Sequence, residues 1–161
     1  MLKKFLIIIA SVMVPFINGC CSENKFKEEQ RVMIPNPFVY VDSLDKATQG
    51  AGFEFDCPQS AEGYSKKDIS YIKNNLIQVV FREGDKSIHL RKARGHEDIS
   101  GDYNIYNKID VQQIKAYSVT LKGRVDGFFV ASWSYGSFSF AVTSSSPLSA
   151  EFIKSLITEM H

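Results

Sequence analysis

The chain has 161 residues, 44% hydrophobic and 23% charged, with twelve Phe, seven Tyr and one Trp. That is one domain's worth of chain with apolar material for a core, which excludes a disordered tail. Lys and Arg number 19 against 18 Asp and Glu. Without Lys3 and Lys4, in a segment expected to be removed, the balance is near −1, and no basic field remains to hold nucleic acid.

Met1 to Lys4 is a short basic start, and Phe5 to Phe16 is an apolar run without a charge. This is the pattern of a secretory signal. The run is short of the roughly 20 apolar residues that span a bilayer, which disfavours a retained signal-anchor. Ile17-Asn18-Gly19-Cys20 resembles the lipobox of bacterial lipoproteins: a branched apolar residue, then a small residue, then cysteine. The resemblance implies a diacylglyceryl group on the Cys20 thiol and cleavage before it, making residues 1–19 a lipoprotein signal peptide. Cys21 fits worse, because Asn18 and Cys20 would then take the apolar and small positions. Two or more acyl chains of the palmitate class give stable anchoring, at roughly 0.8 kcal/mol per buried CH₂.

Residues 20–36 read as a flexible tether. Ser22 to Arg31 is polar and charged, and Pro35-Asn36-Pro37 favours an extended lead into the domain, residues 37–161. Val39-Tyr40-Val41 leads to Asp42-Ser43, which can cap a helix over Ser43–Gln49, stopped by Gly50 and Gly52. Phe53-Glu54-Phe55 alternates like a strand ended by Cys57-Pro58. Further strands are expected around Ile69–Ile72, at Leu76–Arg82 and Ser87–Ala93 as a hairpin, at Gln113–Lys122, at Phe128–Tyr135 and at Phe138–Val142. Ser144 to Pro147 is expected to break the sheet. Ser149 can cap a last helix, whose stripe of Phe152, Ile153, Leu156, Ile157 and Met160 has helical spacing. The fold class is α+β: an antiparallel β-sheet packed with a short N-terminal helix and a C-terminal helix, with Phe129, Trp133, Phe138 and Phe140 in the core.

Chemistry is sparse. His89 lies mid-strand and reads as a surface side chain, and His161 is the last residue. His96-Glu97-Asp98 does not match a zinc spacing. Gly136-Ser137-Phe138-Ser139 lacks the second glycine of a nucleophile elbow. Cys57 is either a small buried apolar residue, the favoured reading, or the partner of Cys21 in a disulfide. No catalytic residue, metal or cofactor is expected. The most distinctive stretch is Glu97 to Tyr106, where Asp98, Ser100, Asp102 and Asn104 alternate as a candidate binding loop. Alternate oxygens suit a Ca²⁺ loop, but the sixth position is Tyr103 rather than glycine and the twelfth is Ile109 rather than glutamate. A structural turn, with Asp and Ser side chains accepting backbone N–H bonds and Gly101 supplying an unusual dihedral, is the favoured alternative.

The segments Ala51–Pro58, Ile77–Asn104, Val119–Gly123, Ala131–Trp133 and Ser139–Ile157, in this order, resemble an uncharacterised bacterial domain family. Its most specific part here is Asp98-Ile99-Ser100-Gly101-Asp102-Tyr103-Asn104. The family, a domain of unknown function, occurs in extracellular parts of membrane-bound anti-sigma factors and in stand-alone lipoproteins. The resemblance implies an extracytoplasmic α+β domain and brings no catalytic residues. The resulting expectation is a lipoprotein anchored through Cys20 at the outer face of the bacterial cytoplasmic membrane. Its domain would bind or sense an envelope protein or cell-wall component. The alternative is an envelope hydrolase or thiol enzyme using Cys57.

Overall fold

The structure is a computed structural model and describes residues 35–161. The lipobox, Cys20, Cys21 and most of the expected tether lie outside the described residues. Eight strands form one antiparallel sheet: β1 (Val39–Val41), β2 (Lys66–Ile72), β3 (Leu76–Glu83), β4 (Lys86–Arg94), β5 (Lys108–Ile114), β6 (Tyr117–Arg124), β7 (Gly127–Tyr135) and β8 (Phe138–Leu148). Helix α1 (Leu44–Ala51) follows β1, and α2 (Ala150–Thr158) follows β8. The spatial order β1-β2-β3-β4-β8-β7-β6-β5 joins two four-strand meanders through the β4–β8 pair. The connection from β4 to β5 must therefore cross from the middle of the sheet to its edge. Among the described residues no helix is long and apolar enough to cross a membrane.

Period-two alternation gives the sheet two unlike faces. On one face Ile77, Val79 and Phe81 of β3, Ile88 and Leu90 of β4, Val142 of β8 and Leu121 of β6 are buried together with both helices. Each fully buried side chain of this size contributes about 1.5–3 kcal/mol. Helix α1 starts because the Ser43 hydroxyl accepts the Lys46 N–H, and it stops at Gly52, whose φ of 74° is left-handed. Its buried residues are alanines, Ala47 and Ala51, so it lies close to the sheet. Helix α2 is capped by the Ser149 hydroxyl on the Phe152 N–H and buries Ile153, Leu156 and Ile157.

Four expectations are corrected. Phe53–Phe55 is not a strand. The Glu54 carbonyl accepts from Lys92 Nζ at 2.7 Å and the Gly52 carbonyl from Arg94 Nη2 at 2.7 Å, so side chains satisfy this backbone instead of a ladder. Gln113–Lys122 is not one strand but parts of β5 and β6, joined at Lys115 with φ 53° and Ile114 facing Tyr117. The alternation runs through the turn without a glycine to mark it. Ser144–Pro147 does not break the sheet, because β8 continues to Leu148. Its register against β7 shifts between Val130–Thr143 and Phe128–Leu148, and the Ser144 hydroxyl accepts the Ser146 N–H, so proline sits in an irregular stretch that tolerates it. Phe129 is outside the core cluster: the bulge that skips it in β7 turns it to the other face, where it stacks on Tyr106 at 5.8 Å. Trp133 and Phe140 do lie in the core, stacked at 5.2 Å, with Phe138 packed against it.

Candidate functional site

The face opposite the helices carries polar residues in strands that otherwise read as apolar. Gln78 of β3 faces Arg91 of β4 in register, and Ser70 of β2 faces Gln78. The three form a chain: Gln78 Nε2 donates to Ser70 Oγ at 3.3 Å, and Arg91 Nε donates to Gln78 Oε1 at 2.7 Å. Arg91 Nη1 then donates to the carbonyls of Ile99 and Ser100. Thr143 Oγ1 of β8 donates to the same Ser100 carbonyl at 2.9 Å.

These bonds pin residues 95–107 as a strap over the face opposite the helices, and further contacts tie it to β6 and β7 before β5. At its start, Gly95 N–H donates to the Ser137 carbonyl at 2.9 Å, and Ser139 Oγ donates to the Gly95 carbonyl at 3.1 Å. In the middle, Asp98 pairs with Lys122 of β6 at 3.3 Å. Near its end, Tyr106 stacks on Phe129, with the Arg124 guanidinium over both rings at 6.0 and 5.5 Å. Such cation–π contacts contribute about 0.5–1 kcal/mol at exposed sites.

The expected loop residues all lie on this strap, and their oxygens do not converge. Asp98 accepts from the Ser100 N–H, Ser100 Oγ from the Asp102 N–H, and Asp102 from the Asn104 N–H at 2.7 Å. Each side chain caps the backbone two residues on, the Asx- and ST-turn pattern. Asp102 also accepts from Asn104 Nδ2 and from the Tyr106 hydroxyl at 2.7 Å. Burial and the Asp102 carboxylate push the Tyr106 hydroxyl up to about 12. Burial works to raise the Asp98 carboxyl, but hydrogen bonds from Ser100 and the charge of Lys122 outweigh it and hold the group below its ordinary value. Among the described residues no group of three or more His, Cys, Asp or Glu could hold a metal ion.

The strap divides the open face into two grooves. The first, of about 300 Å³, has a floor of hydroxyls from Ser118, Thr120, Ser132, Ser134 and Ser139, walled by His96 to Ile99. The second, of about 410 Å³, is lined by His89, Asp102, Tyr106, Arg124, Phe129 and Thr143. His89 is half-buried rather than a plain surface side chain. Burial first, and the charges of Arg91 and Arg82 next, lower its imidazole to about 4, so it is neutral at physiological pH. Cys57 is elsewhere, in the core cluster under the helices, where burial pushes its thiol up to about 11.

Sequence reading missed Arg91, Gln78, Thr143 and Phe129 as the parts that hold the strap. The available signal was glutamine inside Leu76-Ile77-Gln78-Val79-Val80-Phe81, an apolar run with one polar interruption. Comparison of the chain with protein-family models, with curated proteins and with solved structures finds no match.

Proposed function

We propose that this chain is a lipid-anchored cell-surface lipoprotein, held by Cys20 at the outer face of the bacterial cytoplasmic membrane. Its α+β domain, an antiparallel sheet packed with an early helix and a C-terminal helix, binds or senses an envelope protein or cell-wall component without catalysis. The family resemblance, to extracellular domains of anti-sigma factors and stand-alone lipoproteins, agrees with that placement. The observation that supports binding is the first groove. Its floor is a patch of hydroxyls on three adjacent strands, of which Ser139 is engaged with Gly95. Ser118, Thr120 and Ser132 offer the groove donors and acceptors. Burial that raises the Cys57 thiol to about 11 inside the core disfavours the thiolate that the thiol-enzyme alternative needs at neutral pH.

Two experiments test the two halves. Cys20→Ser in the full chain is expected to leave unprocessed precursor and abolish incorporation of labelled palmitate, whereas Cys21→Ser does neither. Labelled palmitate retained in Cys20→Ser would remove the anchor. For binding, a photo-crosslinking residue placed at Thr120 in intact cells is expected to give a discrete adduct that Asp98→Ala weakens. A smear matching that from a crosslinker at Glu151 on α2 would overturn the groove as the binding surface.

A further inference from the structure

The sheet ends in two edges of different character. The β1 edge is three residues long, whereas β5 is seven. β5 pairs with β6 in unbroken register, contains no proline, and faces no strand on its outer side among the described residues. Proteins ordinarily blunt such an edge with proline, a bulge or a cover, because its free N–H and C=O groups template further pairing. Here the edge is flanked instead by Ile109 and Val111, 65% and 62% exposed, on the strap side of the sheet. Lys108, Asp110 and Gln112 point to the helix side.

We propose that β5 pairs antiparallel with β5 of a second copy of this chain, about a two-fold axis normal to the sheet at Ile109. A two-fold of this kind keeps each residue on its own face, so symmetric registers centre on a single residue. Centring on Asp110 sets two carboxylates opposite each other, which is destabilising. Centring on Val111 sets Ile109 against Gln113 and Lys108 against Ile114. Centring on Ile109 sets Ile109 against Ile109, with each Val111 against Asn107 of the other strap. Each Lys108, whose ammonium turns from the Phe128 ring 4.3 Å away, comes against the second copy's Asp110, giving two opposite-charge pairs beside an apolar one. The partner of Asp110 within the chain is neutral, Gln112 Nε2 at 2.8 Å, so its charge is left for a cation. The joined sheets place the β1 edges, where Pro35 leads into the domain, at opposite ends of the dimer, clear of the seam.

The test is disulfide trapping of the full chain in intact cells, in a Cys21→Ser parent whose own oxidised dimer sets the background. Ile109→Cys is expected to give a disulfide dimer on mild oxidation. Val111→Cys is not, because in this register the two 111 positions lie four residues apart along the seam, about 14 Å, beyond the reach of a disulfide. Asp110→Lys, added to Ile109→Cys, is expected to cut the dimer yield at least fivefold, and Lys108→Asp with Asp110→Lys to restore it by swapping the charges. No dimer above background from Ile109→Cys would overturn the proposal. So would an equal yield from Val111→Cys, or failure of the charge swap to restore what Asp110→Lys removes.

Discussion

Arg91 lies directly under Gly101: the guanidinium that holds the Ile99 and Ser100 carbonyls occupies the space a Cβ at position 101 would need. The glycine also has φ of 63°, a left-handed conformation that costs an L side chain about 1–2 kcal/mol. Both constraints fall on one residue because the strap must turn and approach the sheet at the same place. Gly101→Ala is therefore expected to destabilise the protein by about 1–3 kcal/mol in urea unfolding. It should also speed amide exchange in residues 98–106 more than in β3 and β4. Exchange that rises equally in the strap and the central strands would show that Gly101 does not act through the strap.

Arg91 itself is half-buried with hydrogen-bond partners that are all neutral, and burial pulls its guanidinium below the ordinary value. The fork geometry is what matters, since one side chain reaches Gln78 on the sheet and two carbonyls on the strap. A lysine ammonium is a point donor and cannot span them. Arg91→Lys is expected to cost about 1–3 kcal/mol by leaving a buried carbonyl or Gln78 Oε1 unpaired. The Thr120 crosslinking pattern should change with it. Full stability in Arg91→Lys would mean that water or Thr143 satisfies the strap without the fork.

The elements with strong local patterning were legible, and the failures have a common cause. Leu76–Arg82, a nearly continuous apolar run, and the alternating Ser87–Ala93 flank a Gly84-containing turn, and both strands appear with their hairpin. The Ser149 cap and the stripe through Ile157 sit on a helix. Phe53–Phe55 alternates equally well yet is a loop, because Lys92 and Arg94, about 40 residues away, take its carbonyls. The β5–β6 turn and the Phe129 bulge likewise depend on partners that a local window does not contain. At the candidate site, Asp98 to Asn104 was visible as an unusual string. That its oxygens turn inward on their own backbone, and that Arg91 pins it from below, depends on the sheet order.

Lys92 makes the loop's dependence on distant side chains measurable. It is 8% exposed, donates to the Glu54 carbonyl, and its ammonium lies 4.7 Å from the Phe138 ring centre and 5.4 Å from that of Phe140. Lys92→Met keeps the apolar stem and removes the donor. The expected cost is about 1–3 kcal/mol, from the lost charge-assisted hydrogen bond and the lost cation–π contacts. Limited proteolysis should then open near residues 52–57 first. A variant as stable as the parent would show that the ammonium's burial cost cancels its bonds.

Cys57 offers a chemical clock for global opening. Its folded thiol at about 11 lies above the ordinary 9.0, because burial penalises the thiolate. The neutral form is thus favoured by folding, and this contribution is present below pH 9 and lost as pH rises towards 11. At pH 8 the folded thiolate fraction is about 10⁻³, so alkylation measured on the Cys57 peptide should be slow and should jump when urea unfolds the chain. Rapid native alkylation would place the thiol in reach of solvent and reopen the thiol-enzyme alternative.

His89 sets the acid side. Its folded value of about 4 lies below the unfolded 6.5, so the unfolded chain binds the extra proton first as pH falls. Stability from the neutral imidazole is fully present above pH 6.5 and is lost between pH 6.5 and 4. The groups around it reinforce this direction: Arg91 and Arg82 oppose a further positive charge, while Asp102 across the groove is engaged with Tyr106 and Asn104. Carboxylates held low, such as Asp98, lose their contribution only below about pH 4, so pH 5–6.5 lies above their range. Melting temperature is expected to fall with pH in that window, and His89→Gln, which cannot charge, should flatten the slope while keeping a polar contact with Gln78. An unchanged slope in His89→Gln would assign the acid sensitivity to another group.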